Sequence, residues 1–245
     1  MIAVCGQGAG CEGVLEHLLL LGYKLQVFTH PGPLGERMVK SAGRAGMPAT
    51  YLSVNVRDAW QWSVPPTLLI SCGYLEIVSA ETLDKTPGIN CPYALLPRHR
   101  GRSAVPWAIL DGDPVTGVSW HWMTPRVDVG NLLMQMTCQI DLNETQATLF
   151  DKLHQLAYET APAAIRLART GWAGVEQQGR GSQHPAGPPH GGIINPMWDT
   201  DKVERFIRAM TYPPRPYARF VDREVRSMEE FYTVANTDGD HVYFF

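Results

Sequence analysis

The stretch Gly88–Gln135 reads GINCPYALLPRHRGRSAVPWAILDGDPVTGVSWHWMTPRVDVGNLLMQ. It opens on a short strand-like run ending in Asn90 and Cys91. Adjacent strand residues face opposite ways, so Asn90 and Cys91 cannot both serve one site; Cys91 reads as a buried, inert thiol. Further on, Val118–Met123 alternates as a strand, with Ser119 and His121 two residues apart and therefore on one face. Asp128-Val129-Gly130 then precedes a further strand, Leu132–Met136.

Working outward, the upstream chain alternates strands and helices: strand Ile2–Cys5, helix Cys11–Leu21, strand Leu25–Phe28, helix Leu34–Ala45, and strand Thr67–Ser71 just after Pro65 and Pro66. That alternation predicts an α/β fold, a mostly parallel sheet with helices on both faces, whose ligands gather at the carboxyl ends of the strands. Downstream, Glu144 to Thr170 is helical in pattern, with Asn143 as expected N-cap and Pro162 expected to kink or break it. A glycine-rich stretch with Pro185, Pro188 and Pro189 follows. The expected division is a core over 1–178, a linker over 179–192 and a small C-terminal α+β unit over 193–245. In that unit Thr200 should cap a helix over Asp201–Met210, and runs at Phe220, Phe231–Val234 and Val242–Phe245 should form a small sheet. The apolar Tyr243-Phe244-Phe245 ending suggests a truncated chain or a tail held by a neighbour.

Composition narrows the function. The 245 residues are 44% hydrophobic and 18% charged, with a formal charge of -3, which suits a globular protein and argues against nucleic acid as a partner. No apolar run approaches the roughly 20 residues that span a bilayer, and no secretory leader is evident, so no membrane is expected and a cytoplasmic location is. The five cysteines lack metal-ligand spacing and read as reduced thiols. Gly8-Ala9-Gly10-Cys11-Glu12-Gly13 is a literal GxGxxG between a strand and a helix. The second strand ends Val27-Phe28-Thr29-His30, without the acid that would hold a dinucleotide's ribose, so a tight turn is the favoured reading.

Asn90, Leu95-Leu96-Pro97, Arg100-Gly101, Pro106-Trp107-Ala108-Ile109, Thr116-Gly117-Val118 and Asp128-Val129-Gly130, in this order, resemble the folate-dependent formyltransferase superfamily, across at least residues 1 to 170. The resemblance implies a Rossmann-like core and transfer of a formyl group from 10-formyltetrahydrofolate to an amine. In that family the motif N-x-H-x-S-L-L-P and a later D-x-G supply Asn, His and Asp. An amide N–H can hydrogen-bond the formyl oxygen as charge develops, histidine can support that oxygen and manage a proton, and a carboxylate can take the proton of the attacking amine. Here Asn90 and Asp128 match, but Pro92 stands at the histidine and Ala94 at the serine. Proline has neither ionisable group nor N–H. His121 is the candidate replacement, its alternative being a supporting role. For Asp128 the alternative is a turn cap; His99 reads as a solvated loop residue.

The resemblance also implies that Gly73, Tyr74 and Leu75, with Arg126 and Val127, hold the donor's pterin. The candidate acceptor-binding residues are Arg100, Ser119, Trp120 and Trp122; the tryptophans could stack a nucleotide base, or be plain core. The segment Gly192–Tyr217 resembles sugar N-formyltransferases, so the expected acceptor is a small-molecule amine, an amino sugar on a nucleotide. A homodimer is left open. The competing expectation is a catalytically silent relative that binds folate or nucleotide.

Overall fold

The computed structural model describes residues 1–56 and 66–237. The first apolar runs form strands β1 (Ile2–Gly6) and β2 (Leu25–Phe28), every residue of both buried. Helix α1 (Gly8–Leu20) links them, and α2 (Pro33–Arg44) starts on proline, which tolerates a position whose N–H would be unpaired anyway. There follow β3 (Ala49–Thr50), β4 (Leu68–Cys72), α3 (Ala80–Lys85), β5 (Gly88–Asn90), β6 (Arg100–Gly101), α4 (Ala104–Leu110), β7 (Val115–Trp122), β8 (Leu132–Gln139) and α5 (Gln146–Arg169).

The main sheet has seven strands in the order β3-β2-β1-β4-β5-β7-β8. The first five are parallel; β7 runs antiparallel to β5 and β8 antiparallel to β7. This is the expected α/β architecture. Along β1, Ile2 and Val4 join Leu15, Leu18 and Leu153 in the core under α1 and α5, while Ala3 and Cys5 pack with Phe28, Val54 and Leu69 on the other face. Each large aliphatic side chain so buried contributes about 1.5–3 kcal/mol. The GxGxxG segment is the turn from β1 into α1. A β-carbon on Gly10 would lie 1.9 Å from the Tyr93 hydroxyl, so close packing of this turn on the residue after Pro92 accounts for that glycine.

Three local expectations are corrected. Helix α5 is capped by Thr145, not Asn143: the Thr145 hydroxyl accepts from the Thr148 N–H, and the Thr148 hydroxyl is returned to the Thr145 N–H. Of the two outcomes expected at Pro162, the break does not occur: the proline sits inside a continuous 24-residue helix. It cannot donate to the Tyr158 carbonyl one turn back, but His17 Nδ1 of α1 lies 2.9 Å from that oxygen, and its ring stacks on Tyr158 at 4.1 Å. The orphaned acceptor is thus satisfied from outside the helix. Finally, Phe231–Val234 belongs to helix α7 (Met228–Thr237), where Ser227 accepts from the Glu230 N–H and Phe231 and Val234 share the buried side. The small sheet is the hairpin of β10 (Ala218–Phe220) and β11 (Arg223–Val225). Pro65 and the run Val242–Phe245 lie outside the described residues.

At the end of the expected core, Val175 and Leu132 exchange backbone hydrogen bonds at 2.7 and 2.8 Å. Within the stretch expected as a linker, strand β9 (Gln183–His184) pairs in parallel with β6. Beyond it, α6 (Thr200–Met210) is capped by Asp199, one residue before the expected Thr200, and buries Val203, Phe206 and Ile207. Among the described residues no helix is long and apolar enough to cross a membrane.

Candidate functional site

Asn90 is the last residue of β5, where the strand ends and the residue is partly buried. The antiparallel register sets it opposite His121 of β7. The β7–β8 register slips between Trp120 and His121, an irregularity of the kind that re-aims side chains beside active sites. His121 is buried, as is Asp128 in the loop between β7 and β8. Three polar atoms converge: Asn90 Nδ2 donates to Asp128 Oδ1 at 3.2 Å and lies 3.4 Å from His121 Nε2, which is itself 3.4 Å from Asp128 Oδ1.

The other imidazole nitrogen fixes the proton arrangement. His121 Nδ1 is 2.7 Å from the Trp122 carbonyl, which can only accept, so Nδ1 carries the hydrogen. Nε2 therefore faces the cluster. Unprotonated, it accepts from Asn90; protonated, it donates to Asp128. Contacts of 3.4 Å are loose, and catalytic hydrogen bonds are often long until substrate arrives.

Asp128 is held harder than its partners. Its φ of 53° places it in the left-handed region, which Asp tolerates better than most residues. The Gly101 N–H donates to Oδ2 at 2.8 Å. Gln177 donates to the carbonyls of Asp128 and Gly130, each at 2.9 Å, and its own carbonyl accepts twice from the Arg100 guanidinium. Arg100 therefore acts through Gln177. Gly130 lets the loop approach β7, since a β-carbon there would sit 1.7 Å from the Trp122 carbonyl that orients His121.

The donor-loop candidates lie in the segment after β4 and in the loop between β7 and β8, just before Asp128. Gly73 follows β4 with φ 68°, and Leu75 is exposed, its N–H donating to His30 Nε2 at 3.0 Å and its carbonyl accepting from Arg102. Tyr74 stacks on His30 at 4.7 Å, its hydroxyl accepts from the Val54 N–H, and burial pushes its pKa up to about 12. Arg126 and Val127 are exposed in the turn closed by Thr124, whose hydroxyl bonds the Arg126 backbone.

Two of the acceptor candidates are elsewhere engaged. Trp120 is wholly buried, with its N–H on Thr160 of α5 at 2.8 Å, which overturns its reading as a base-stacking platform. Ser119 is equally buried: it donates to the Ala94 carbonyl and accepts from Leu96 N–H and from Gln135, so it holds the 94–96 turn. Trp122 is partly exposed and its N–H reaches the Trp172 carbonyl. Cys91 is buried and its thiol is pushed well up by burial, as expected of an inert group. His99, expected as a solvated residue, is instead buried, with Nε2 2.8 Å from Asp113 and Nδ1 2.9 Å from His184. Sequence reasoning missed Gln177 and His30, and marked Gly101 only within the pair Arg100-Gly101; Gln177 gave no signal beyond the pair Gln177-Gln178. Among the described residues no group of three His, Cys, Asp or Glu side chains could hold a metal.

The cluster joins an amide donor, a histidine able to gain or lose a proton, and a fixed carboxylate. Such a set can stabilise charge on a carbonyl oxygen and remove a proton from an attacking amine. The profile of a family described as formyl transferase matches residues 58–165. A GDP-perosamine N-formyltransferase of Brucella melitensis is 33% identical over 225 residues, spanning 89% of this chain and 87% of that protein. An N-formyltransferase of Helicobacter canadensis, solved with folinic acid and dTDP-3-aminofucose, superposes with a TM-score of 0.78 at 16% identity, covering 92% and 86% of the two chains. A glycinamide ribonucleotide transformylase of Symbiobacterium toebii gives 0.59 at 21% identity, over 73% of this chain and 93% of that one.

Proposed function

This chain belongs to the formyltransferase family, and within it we propose that it transfers the formyl group of 10-formyltetrahydrofolate to the amine of a nucleotide-linked amino sugar, using Asn90, His121 and Asp128. The convergence of Asn90 Nδ2, His121 Nε2 and Asp128 Oδ1 within 3.4 Å at the carboxyl end of β5 carries this reading. The kinship with a GDP-perosamine N-formyltransferase supports the sugar acceptor.

The donor fits the residues present: Leu75, Ile77 and Val127 expose apolar surface at 43%, 58% and 39% on the segment after β4 and the loop between β7 and β8, as the face of a flat pterin requires. When bound, it supplies an activated formyl carbon. The residues do the rest. Asn90 turns an amide hydrogen to the formyl oxygen as that oxygen gains charge. Asp128 takes the proton that the amine loses on forming its new C–N bond. His121, its Nδ1–H pinned on Trp122, holds or returns a proton at Nε2, toward the nitrogen released when the old C–N bond breaks. Pro92 can do none of this, so His121 takes over the work of the family histidine. In this reading residues 1–178 form the catalytic core, 179–192 a connection and 193–245 a small C-terminal unit.

Pro92 also favours a second reading, a silent relative that binds folate or nucleotide. Incubation with 10-formyltetrahydrofolate and a panel of GDP- and dTDP-linked amino sugars, read by mass spectrometry, separates the two. A product heavier by one formyl group is expected. Tight binding by calorimetry with no formylated product from any amine would refute the enzyme and leave the binding protein.

A further inference from the structure

Strands β6 and β9 have two residues each, too short a ladder to hold itself. Yet this ladder carries Gly101, whose N–H grips the Asp128 carboxylate. What fixes it is a line of side chains. Asp113, just beyond α4 with its N–H on the Ala108 carbonyl, reaches His99 Nε2 at 2.8 Å. His99 Nδ1 meets His184 Nε2 at 2.9 Å, and His184 is the residue paired with Gly101. Around it, the His99 N–H donates to the Ser182 hydroxyl at 2.8 Å and the Arg100 N–H to the Ser182 carbonyl at 2.9 Å. The His184 ring stacks on Trp107 of α4 at 4.4 Å and 12°.

We propose that Asp113, His99 and His184 form a hydrogen-bonded clamp that positions the Gly101 N–H on Asp128, making His99 and His184 positioning residues for formyl transfer, a role that rests on the reading above. His99 itself stands at φ 53°, a conformation that its neighbours must over-determine. Proton accounting gives the clamp a direction. The Asp113 carboxylate accepts from His99 Nε2–H, which leaves Nδ1 as a lone pair that accepts from His184 Nε2–H. One further proton can be taken at His184 Nδ1. A second would put two N–H groups in one 2.9 Å gap and open the clamp. The charged groups facing the pair are Asp113, Arg98 on that same carboxylate, and Asp111 near His184; His190 lies on Trp107, with Lys202 beside it.

The test is amide hydrogen exchange at Gly101 by NMR, beside steady-state formyl transfer. His184→Phe keeps the stack on Trp107 and removes Nε2; His99→Gln is the second variant. Exchange at Gly101 is expected to quicken roughly tenfold, with kcat falling about tenfold and acceptor KM moving less than about threefold. In the parent, exchange corrected for its intrinsic pH dependence should quicken on acidification, and His184→Phe should lack that step. Unchanged Gly101 exchange in a folded His184→Phe protein would overturn the clamp, as would quickening that only follows global unfolding. If the parent transfers no formyl group, the functional reading falls, while Gly101 exchange still decides the clamp.

Discussion

Replacing Asp128 with Asn tests the site with little disturbance to the fold. Asn has the same shape and tolerates the left-handed φ of 53°, so the backbone penalty is small. The carboxylate now accepts at both ends, from Asn90 Nδ2 at 3.2 Å and Gly101 N–H at 2.8 Å. An amide accepts at one end only. Turned toward Gly101, its NH2 faces the Asn90 donor; turned round, it faces the Gly101 donor. With Asn90 unrotated, one donor loses its partner either way, at a cost of about 1–3 kcal/mol that shrinks if Asn90 turns its own oxygen to the new NH2. A larger effect falls on catalysis, because a neutral amide cannot take the proton of the amine; loss of a positioned base lowers rates by about 10²–10⁴. Asp128→Asn should therefore lower kcat by at least about a hundredfold, while the urea midpoint drops by no more than those few kcal/mol imply. The assays are formyl transfer followed by mass spectrometry and urea unfolding followed by fluorescence. A folded Asp128→Asn protein within threefold of the parent rate would refute Asp128 as the proton acceptor.

His121→Gln should lower kcat about a hundredfold, and Pro92→His added to it should recover part of the loss; an active His121→Gln single variant would show that His121 does not replace the missing histidine. His17→Phe keeps the stack on Tyr158 but leaves the Tyr158 carbonyl unpaired, so urea unfolding should show a loss of about 1–3 kcal/mol that shrinks in a Pro162→Ala background, where the helix N–H returns. Burial holds His184 and His154 below the ordinary histidine value of about 6.5, with His99 adding to the effect at His184. The unfolded chain then binds protons first, so stability is full above that value and falls as pH drops from about 6.5 toward the lowered values, which chemical denaturation at pH 7, 6 and 5 should show.

The sheet was legible because buried strands write themselves as short apolar runs, and Leu25–Phe28 falls where expected to the residue. Alternation also showed that Ser119 and His121 share a face. It left open what each face meets, and Trp120, pointing the other way, meets Thr160 of α5 rather than a ligand. Phe231–Val234 is ambiguous because a short run such as Phe-Tyr-Thr-Val suits a strand or one helical turn alike, and the Ser227 cap decides for the helix. His99 could not be found by pattern at all. It sits between two arginines, and its burial depends on Asp113 and on His184, which is 85 residues away. Gln177 is hidden similarly in a segment whose composition says loop, while its side chain holds the backbone on both sides of Val129.

Pro92 gains a physical meaning from its surroundings. Its carbonyl accepts the Ser119 N–H at 3.2 Å, and the Cys91 N–H before it reaches the Ser71 carbonyl at 3.0 Å. The chain past β5 thus stays tied to β4 on one side and β7 on the other, using only the groups that proline retains. The tie to β7 supports the register that sets His121 opposite Asn90. Proline at this position keeps both ties, and the neighbouring strand carries the imidazole of His121, with its Nδ1 proton already committed and Nε2 turned to Asp128. In the proposed reading, having proline here rather than histidine bears on where the proton resides and not on whether the site assembles. That is why the rate of His121→Gln, with and without Pro92→His, measures the missing histidine more directly than any change in stability could.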